Sequence, residues 1–127
     1  MKKILLVDMN SFGLIKWNKT LKKAGYKVYH SPVGYFEAIE AVLTVKPDII
    51  ICTLSQYKGM DIEFVRILKQ PIASECYAPI LYVTSDENTR SEATKAGATD
   101  FLLENFSEDE LLLKCKALSS LFEKKPN

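Results

Sequence analysis

Pro47-Asp48-Ile49-Ile50-Ile51-Cys52-Thr53 is an apolar run that opens on Pro-Asp and closes on a hydroxyl. Near the N-terminus Lys3-Ile4-Leu5-Leu6-Val7-Asp8 closes in the same way on a carboxylate. A third run, Ala78-Pro79-Ile80-Leu81-Tyr82-Val83-Thr84, again closes on a hydroxyl. Short runs without polar alternation suit strands that are covered on both faces. Such runs alternate with amphipathic stretches five times, the pattern of a parallel α/β sheet. Strands are therefore predicted at 3–7, 26–30, 48–52, 79–84 and 100–103. The second, Lys27-Val28-Tyr29-His30, alternates and suits a sheet edge. The expected fold is α/β: a doubly wound, five-stranded parallel sheet inside a three-layer α/β/α sandwich.

Helical periodicity fills the intervals. Leu14, Trp17, Leu21 and Ala24 share one helical face, and Gly25 stops that helix. Ala38, Ala41, Val42 and Val45 form the stripe of a second helix, which ends before Pro47. A third is predicted over 61–69, with Ile62, Val65 and Leu68 inward. The fourth spans 87–96, stops at Gly97 and carries few large apolar residues. The fifth opens with Ser107-Glu108-Asp109-Glu110, a capping box, and its stripe is Leu111, Cys115, Leu118 and Phe122.

The 127 residues suffice for one domain with a real core, predicted over 1–122 with a frayed tail at 123–127. With 17 basic and 16 acidic residues, composition points to neither a nucleic-acid surface nor an anionic membrane as partner. The Lys22-Lys23 and Lys124-Lys125 pairs read as solvated helix ends. No apolar stretch approaches the roughly 20 residues of a membrane span. The run after Met1-Lys2-Lys3 is stopped at Asp8, too soon for a signal peptide, so a cytoplasmic location is expected. Cys52, Cys76 and Cys115 lack metal-ligand spacing and read as incidental free thiols. The single His30 has no partner of that kind nearby in sequence.

Ligands of open parallel sheets bind beyond the carboxyl ends of the strands, where strand order reverses. Asp8, Thr53 and Thr84 sit at such ends. The opening run to Asp8, the Ala24-Gly25-Tyr26 turn, Pro47-Asp48 and Gly59-Met60-Asp61 follow an order that Pro79, Thr84 and Ala96-Gly97-Ala98-Thr99-Asp100-Phe101-Leu102 continue. Their order and spacing resemble the receiver domain of two-component response regulators, the chemotaxis-type receiver superfamily, over nearly the whole chain. The resemblance implies the flavodoxin-like strand order 2-1-3-4-5, with the three strand-end residues on neighbouring central strands.

It also implies five positions of chemistry. Receivers hold Mg²⁺ with two adjacent acids after the first strand, here Asp8 and Met9. The phosphoaccepting aspartate ending the third strand is here Thr53. The hydroxyl after the fourth strand is Thr84, and the aromatic switch on the fifth is Phe101. The lysine after that strand, usually followed by proline, is replaced in Glu104-Asn105. The loop after Thr53 departs as well, without the usual proline.

These departures have separate physical consequences. A receiver's nucleophile is an ionised carboxylate, whereas threonine's protonated hydroxyl needs a base to become competent. Magnesium prefers octahedral oxygen ligands; Met9 offers a thioether and Thr53 a neutral oxygen, leaving Asp8 as the one carboxylate. Glu104 sets an anion where a cation would meet the phosphoryl group, and a like-charge contact at ~4 Å costs several kcal/mol at an effective dielectric of about 20. Asp8, Met9, Thr53, Thr84 and Glu104 thus read as a degenerate phosphorylation pocket, with Mg²⁺ weak or absent and no other cofactor expected.

By the same analogy Arg90, Lys95, Phe101, Glu104 and Phe106 lie on or near the output face built from the fourth helix, fifth strand and fifth helix. Thr84 as a strand-end cap and Phe101 as simple core remain alternatives. The expected function is a pseudo-receiver of bacterial phosphorelay signalling, acting by protein interaction rather than as an enzyme. The partner implied is a signalling protein, such as a histidine kinase or output protein, with homodimerisation through the output face. Two other readings stand: a small-ligand or ion sensor using Asp8, Glu104 and Thr53, and a receiver phosphorylated by an atypical route. Against an enzyme, no glycine-rich phosphate loop and no histidine beside a nucleophile occur in the sequence.

Overall fold

The computed structural model describes residues 2–8, 11–31, 35–53, 65–66, 78–84, 87–103 and 105–123. Strands β1 (Lys3–Asp8), β2 (Lys27–Ser31), β3 (Ile49–Thr53), β4 (Ile80–Thr84) and β5 (Asp100–Leu103) form one all-parallel sheet ordered β2-β1-β3-β4-β5. Helices α1 (Ser11–Lys23), α2 (Tyr35–Val45), α3 (Arg90–Ala96) and α4 (Glu108–Glu123) pack around it. The last two are the fourth and fifth predicted helices. Of the third, Val65 and Arg66 are helical, with Val65 buried; Ile62, Leu68 and the Gly59-Met60-Asp61 loop lie outside the described residues.

Alternate strand residues enter opposite cores, which is why the strands read as unbroken apolar runs. Leu5, Val7, Ile50, Cys52, Ile80 and Tyr82 meet Ala38 and Val42 of α2, Val65 and Ala93 of α3. On the other face Ile4, Leu6, Ile49, Ile51, Leu81, Val83 and Leu102 meet Trp17 and Leu21 of α1 and Leu111, Cys115 and Leu118 of α4. β4 is buried throughout, whereas β2 is only partly covered at the sheet edge, as its alternation predicts.

Three strands begin one residue later than expected, each for a stated reason. The Tyr26 N–H donates to Leu21 O at 3.1 Å, and the ladder starts with Lys27 N–H to Lys2 O at 2.9 Å. Asp48 stays outside β3: its Oδ2 accepts from the Lys3 N–H at 2.7 Å, and its own N–H donates to Lys3 O. Pro79 has no N–H for a ladder, and the Ile80 N–H is met by Thr99 Oγ1 at 3.1 Å.

Helix ends account for the remaining difference. Gly25 N–H to Lys22 O and Tyr26 N–H to Leu21 O make a Schellman cap, with Gly25 at φ +100°. Ala24, expected on the buried stripe, is therefore past the helix and exposed. Gly97, at φ +123°, closes α3 by the same pair of bonds, to Thr94 O and from Ala98 N–H to Ala93 O. α2 ends on Lys46, a non-glycine residue at φ +54°. The capping box of α4 is present: Glu110 N–H donates to Ser107 Oγ and Ser107 N–H to Glu110 Oε1, both at 3.2 Å. The predicted fourth helix opens as a 3₁₀ turn, Glu87–Thr89, and buries only Ala93.

Cys52 and Cys115 are buried free thiols, His30 is exposed, and Cys76 lies outside the described residues. Burial pushes the Cys115 thiol up to about 12. Burial also raises the Tyr26 phenol, against a lowering hydrogen bond with Ser119. Among the described residues no helix is long and apolar enough to cross a membrane.

Two outcomes are expected in equilibrium denaturation. A Cβ at Gly25 would meet nothing within 4 Å, so Gly25→Ala should lose about 1–2 kcal/mol through backbone strain alone, while Lys46→Gly should gain up to about 1 kcal/mol. The buried Cys115 keeps its proton above the ordinary thiol range while the unfolded chain loses it. Stability should thus be unaffected by this group below about pH 9 and fall between there and about 12, a slope that Cys115→Val should reduce.

Candidate strand-end site and its flanking face

β1 and β3 lie side by side at the middle of the sheet, and Asp8 pairs in register with Thr53 at their carboxyl ends. Neighbouring strands are about 4.8 Å apart, so these two backbone positions are immediate neighbours. α1 packs on one face of the sheet and α2 on the other, which makes this pair of strand ends the switch point of the fold. Cys52 is level with Tyr82 of β4, so Thr84 stands one residue beyond the level of Thr53. Thr84 is 3% exposed. The sheet therefore brings Asp8, Thr53 and Thr84 to one edge, as the sequence implies. Met9 and Glu104, the other two pocket residues, lie outside the described residues. Among the described residues no three of His, Cys, Asp or Glu are grouped to hold a metal ion.

A chain of side chains leads away from this edge. Strand alternation puts Thr84 on the same side of the sheet as Tyr82. Tyr82 pairs in register with Phe101 of β5, and the two rings stack with centroids 6.2 Å apart at 29°. Tyr82 is fully buried, whereas Phe101 is half-buried. The Arg90 guanidinium, from the first residue of α3, lies 5.1 Å above the Phe101 ring centroid. An exposed contact of this kind contributes roughly 0.5–1 kcal/mol. Lys95 is exposed on the same helix.

The opposite end of β5 is tied to α4. Asp100 Oδ1 accepts from Lys114 Nζ at 3.0 Å and from the Phe101 N–H at 2.8 Å. Arg90 of α3 and Phe101 of β5 are thus in contact beside the strand that Lys114 ties to α4. Phe106 lies apart from them. Its ring tilts against Trp17 at a centroid distance of 5.0 Å, and it packs with the α1 and α4 core on the other side of the sheet. Phe106 immediately precedes Ser107, the N-cap of α4, which sets it beside the first turn of that helix.

Sequence reasoning missed Tyr82, the Arg90–Phe101 contact and the Lys114–Asp100 ion pair. Tyr82 was findable, since it is two residues before Thr84. The other two depend on strand register and helix docking, which no local pattern encodes.

No model of a protein family matches the sequence. The chain is 28% identical over 115 residues to chemotaxis protein CheY of Thermotoga maritima, covering 87% of this chain and 92% of that protein. Its fold matches the chemotaxis protein CheY4 of Vibrio cholerae with a TM-score of 0.81 and 26% identity, over 93% of this chain and 98% of the other. A response regulator from Thermotoga maritima has a TM-score of 0.81 at 20% identity, over 94% and 98% of the two chains, a likeness of fold alone. Sequence similarity along most of the chain and the strand order together support a receiver domain of the two-component response-regulator type.

Proposed function

We propose that this chain is a cytoplasmic pseudo-receiver, a non-enzymatic signalling module that binds a protein partner without being phosphorylated as receivers are. The observation that carries the reading is Thr53. It occupies the end of β3, in register with Asp8 at the switch point, where the receiver resemblance implies the phosphoaccepting aspartate. A threonine hydroxyl is not ionised near neutral pH and is a weak nucleophile without a base. The donor set does not fit Mg²⁺ either: one carboxylate from Asp8, a neutral hydroxyl from Thr53 and a thioether from Met9. Glu104 replaces the lysine of the resemblance, so the pocket also lacks the cation that would meet a phosphoryl group.

The binding surface of this reading is the face of α3, β5 and α4. α3 is anchored through one buried residue, Ala93, and through Arg90 on Phe101, so its position is weakly held. Thr84 and Tyr82 lie on one side of β4, and Tyr82 stacks on Phe101 toward that face. A partner that contacts Phe101 or Arg90 acts on this stack without any phosphoryl group.

Incubation with acetyl phosphate and Mg²⁺, followed by intact-mass measurement, is expected to leave the protein unmodified. A stable adduct of one phosphoryl group would sink the proposal. Thr53→Asp alone should not restore the adduct, because Met9 and Glu104 remain. For the face, Arg90→Ala should cost at most about 1 kcal/mol of stability while displacing the Phe101 ring resonances in NMR spectra. Unchanged resonances would show that Arg90 does not hold the ring.

A further inference from the structure

α1 carries Lys16, Lys19, Lys22 and Lys23 and no acidic residue. Lysines in a last turn are favoured by the negative end of the helix dipole, which accounts for Lys22 and Lys23. That field fades within one turn and does not account for Lys16 and Lys19. Positions 16, 19 and 23 share one helical face, so Lys19 has a like-charged neighbour on either side, an arrangement that disfavours the helix. None of these three lysines makes a hydrogen bond or ion pair among the described residues, whereas Lys114 is paired with Asp100 and Lys3 Nζ donates to Val45 O.

The same three side chains line one wall of an open surface cavity of about 460 Å³ between α1 and the start of α4, most of whose lining residues are exposed. This volume falls in the range of small-molecule sites. Its other lining includes Thr20, whose hydroxyl donates to Glu108 Oε1 at 3.1 Å, and the apolar Ala24 and Leu112. Three cations against one carboxylate leave the cavity clearly positive. Glu108 is held by a neutral hydroxyl, so it neutralises none of the lysines directly.

We propose that this cavity binds a small organic diphosphate. Lysine ammonium groups meet phosphoryl oxygens as point charges, and a row along one face contacts successive phosphoryl groups. Seven residues of helix cover about 10 Å, long enough for a diphosphate with a compact body beside it. Ala24 and Leu112 offer that body an apolar seat, and Glu108 accepts a hydroxyl on it. The site is separate from the strand-end pocket, on the face of the sheet that α1 and α4 cover.

The test is a titration of the ¹⁵N-labelled protein with ADP and with inorganic pyrophosphate, against orthophosphate at matched ionic strength. The expected result is saturable shifts of the Thr20, Ala24, Glu108 and Leu112 amides, at least tenfold tighter for the two diphosphates. The double variant Lys16→Gln, Lys19→Gln should weaken binding at least tenfold with no loss of thermal stability, since it relieves like-charge repulsion along α1. Glu108→Gln should tighten it several-fold by removing the one anion among the described lining residues. Shifts that do not saturate, equal affinity for orthophosphate, or indifference to the lysine variants would overturn the proposal. So would a response confined to a poly-glutamate peptide, which would mark the lysines as a protein contact.

Discussion

Both faces of the sheet are covered by helices, and the rest of the molecule follows from that constraint. Each central strand must supply apolar side chains in both directions, to Leu5 and Val7 on one side and Ile4 and Leu6 on the other. Polar chemistry is thereby expelled from the strands to their ends. Among the described residues only Ser31, Thr84 and Ser119 are buried and polar, and the first two terminate strands. A parallel sheet gathers its carboxyl ends at one edge, so a site there needs only a few residues in register.

The two helices flanking β5 are held very differently. α4 starts with a reciprocal cap, buries Leu111, Cys115 and Leu118, and is pinned to the strand by Lys114 on Asp100. α3 is seven residues long and follows a 3₁₀ turn. Its outward link is one guanidinium on one ring. A face made from one firm and one loose helix can rearrange locally while the core behind it stays packed.

Charge is likewise balanced over the chain and uneven on the surface. The formal total is +1, yet α1 alone carries four lysines and no acid, while the first turn of α4 carries three acids. Thr20 on Glu108 joins these two elements through a neutral donor. Composition averages this contrast away.

Much of the fold was legible because its signals are local. Continuous apolar runs placed four strands and alternation placed the second, each within a residue, and Gly25, Gly97 and Ser107 marked helix ends by backbone geometry or side-chain capping. The exceptions are equally physical: Ala24 fell outside its helix because the cap at Gly25 takes the chain away, and Phe106 packs on Trp17 in the core that α1 and α4 share. The identities of Asp8, Thr53 and Thr84, and their positions at strand ends, were determined by the sequence itself. That Thr53 sits directly beside Asp8, that Tyr82 stacks on Phe101, and that Arg90 covers that ring were decided only in the tertiary structure. Register between strands and the docking of helices are set by packing between residues far apart in the chain, and no local pattern carries them.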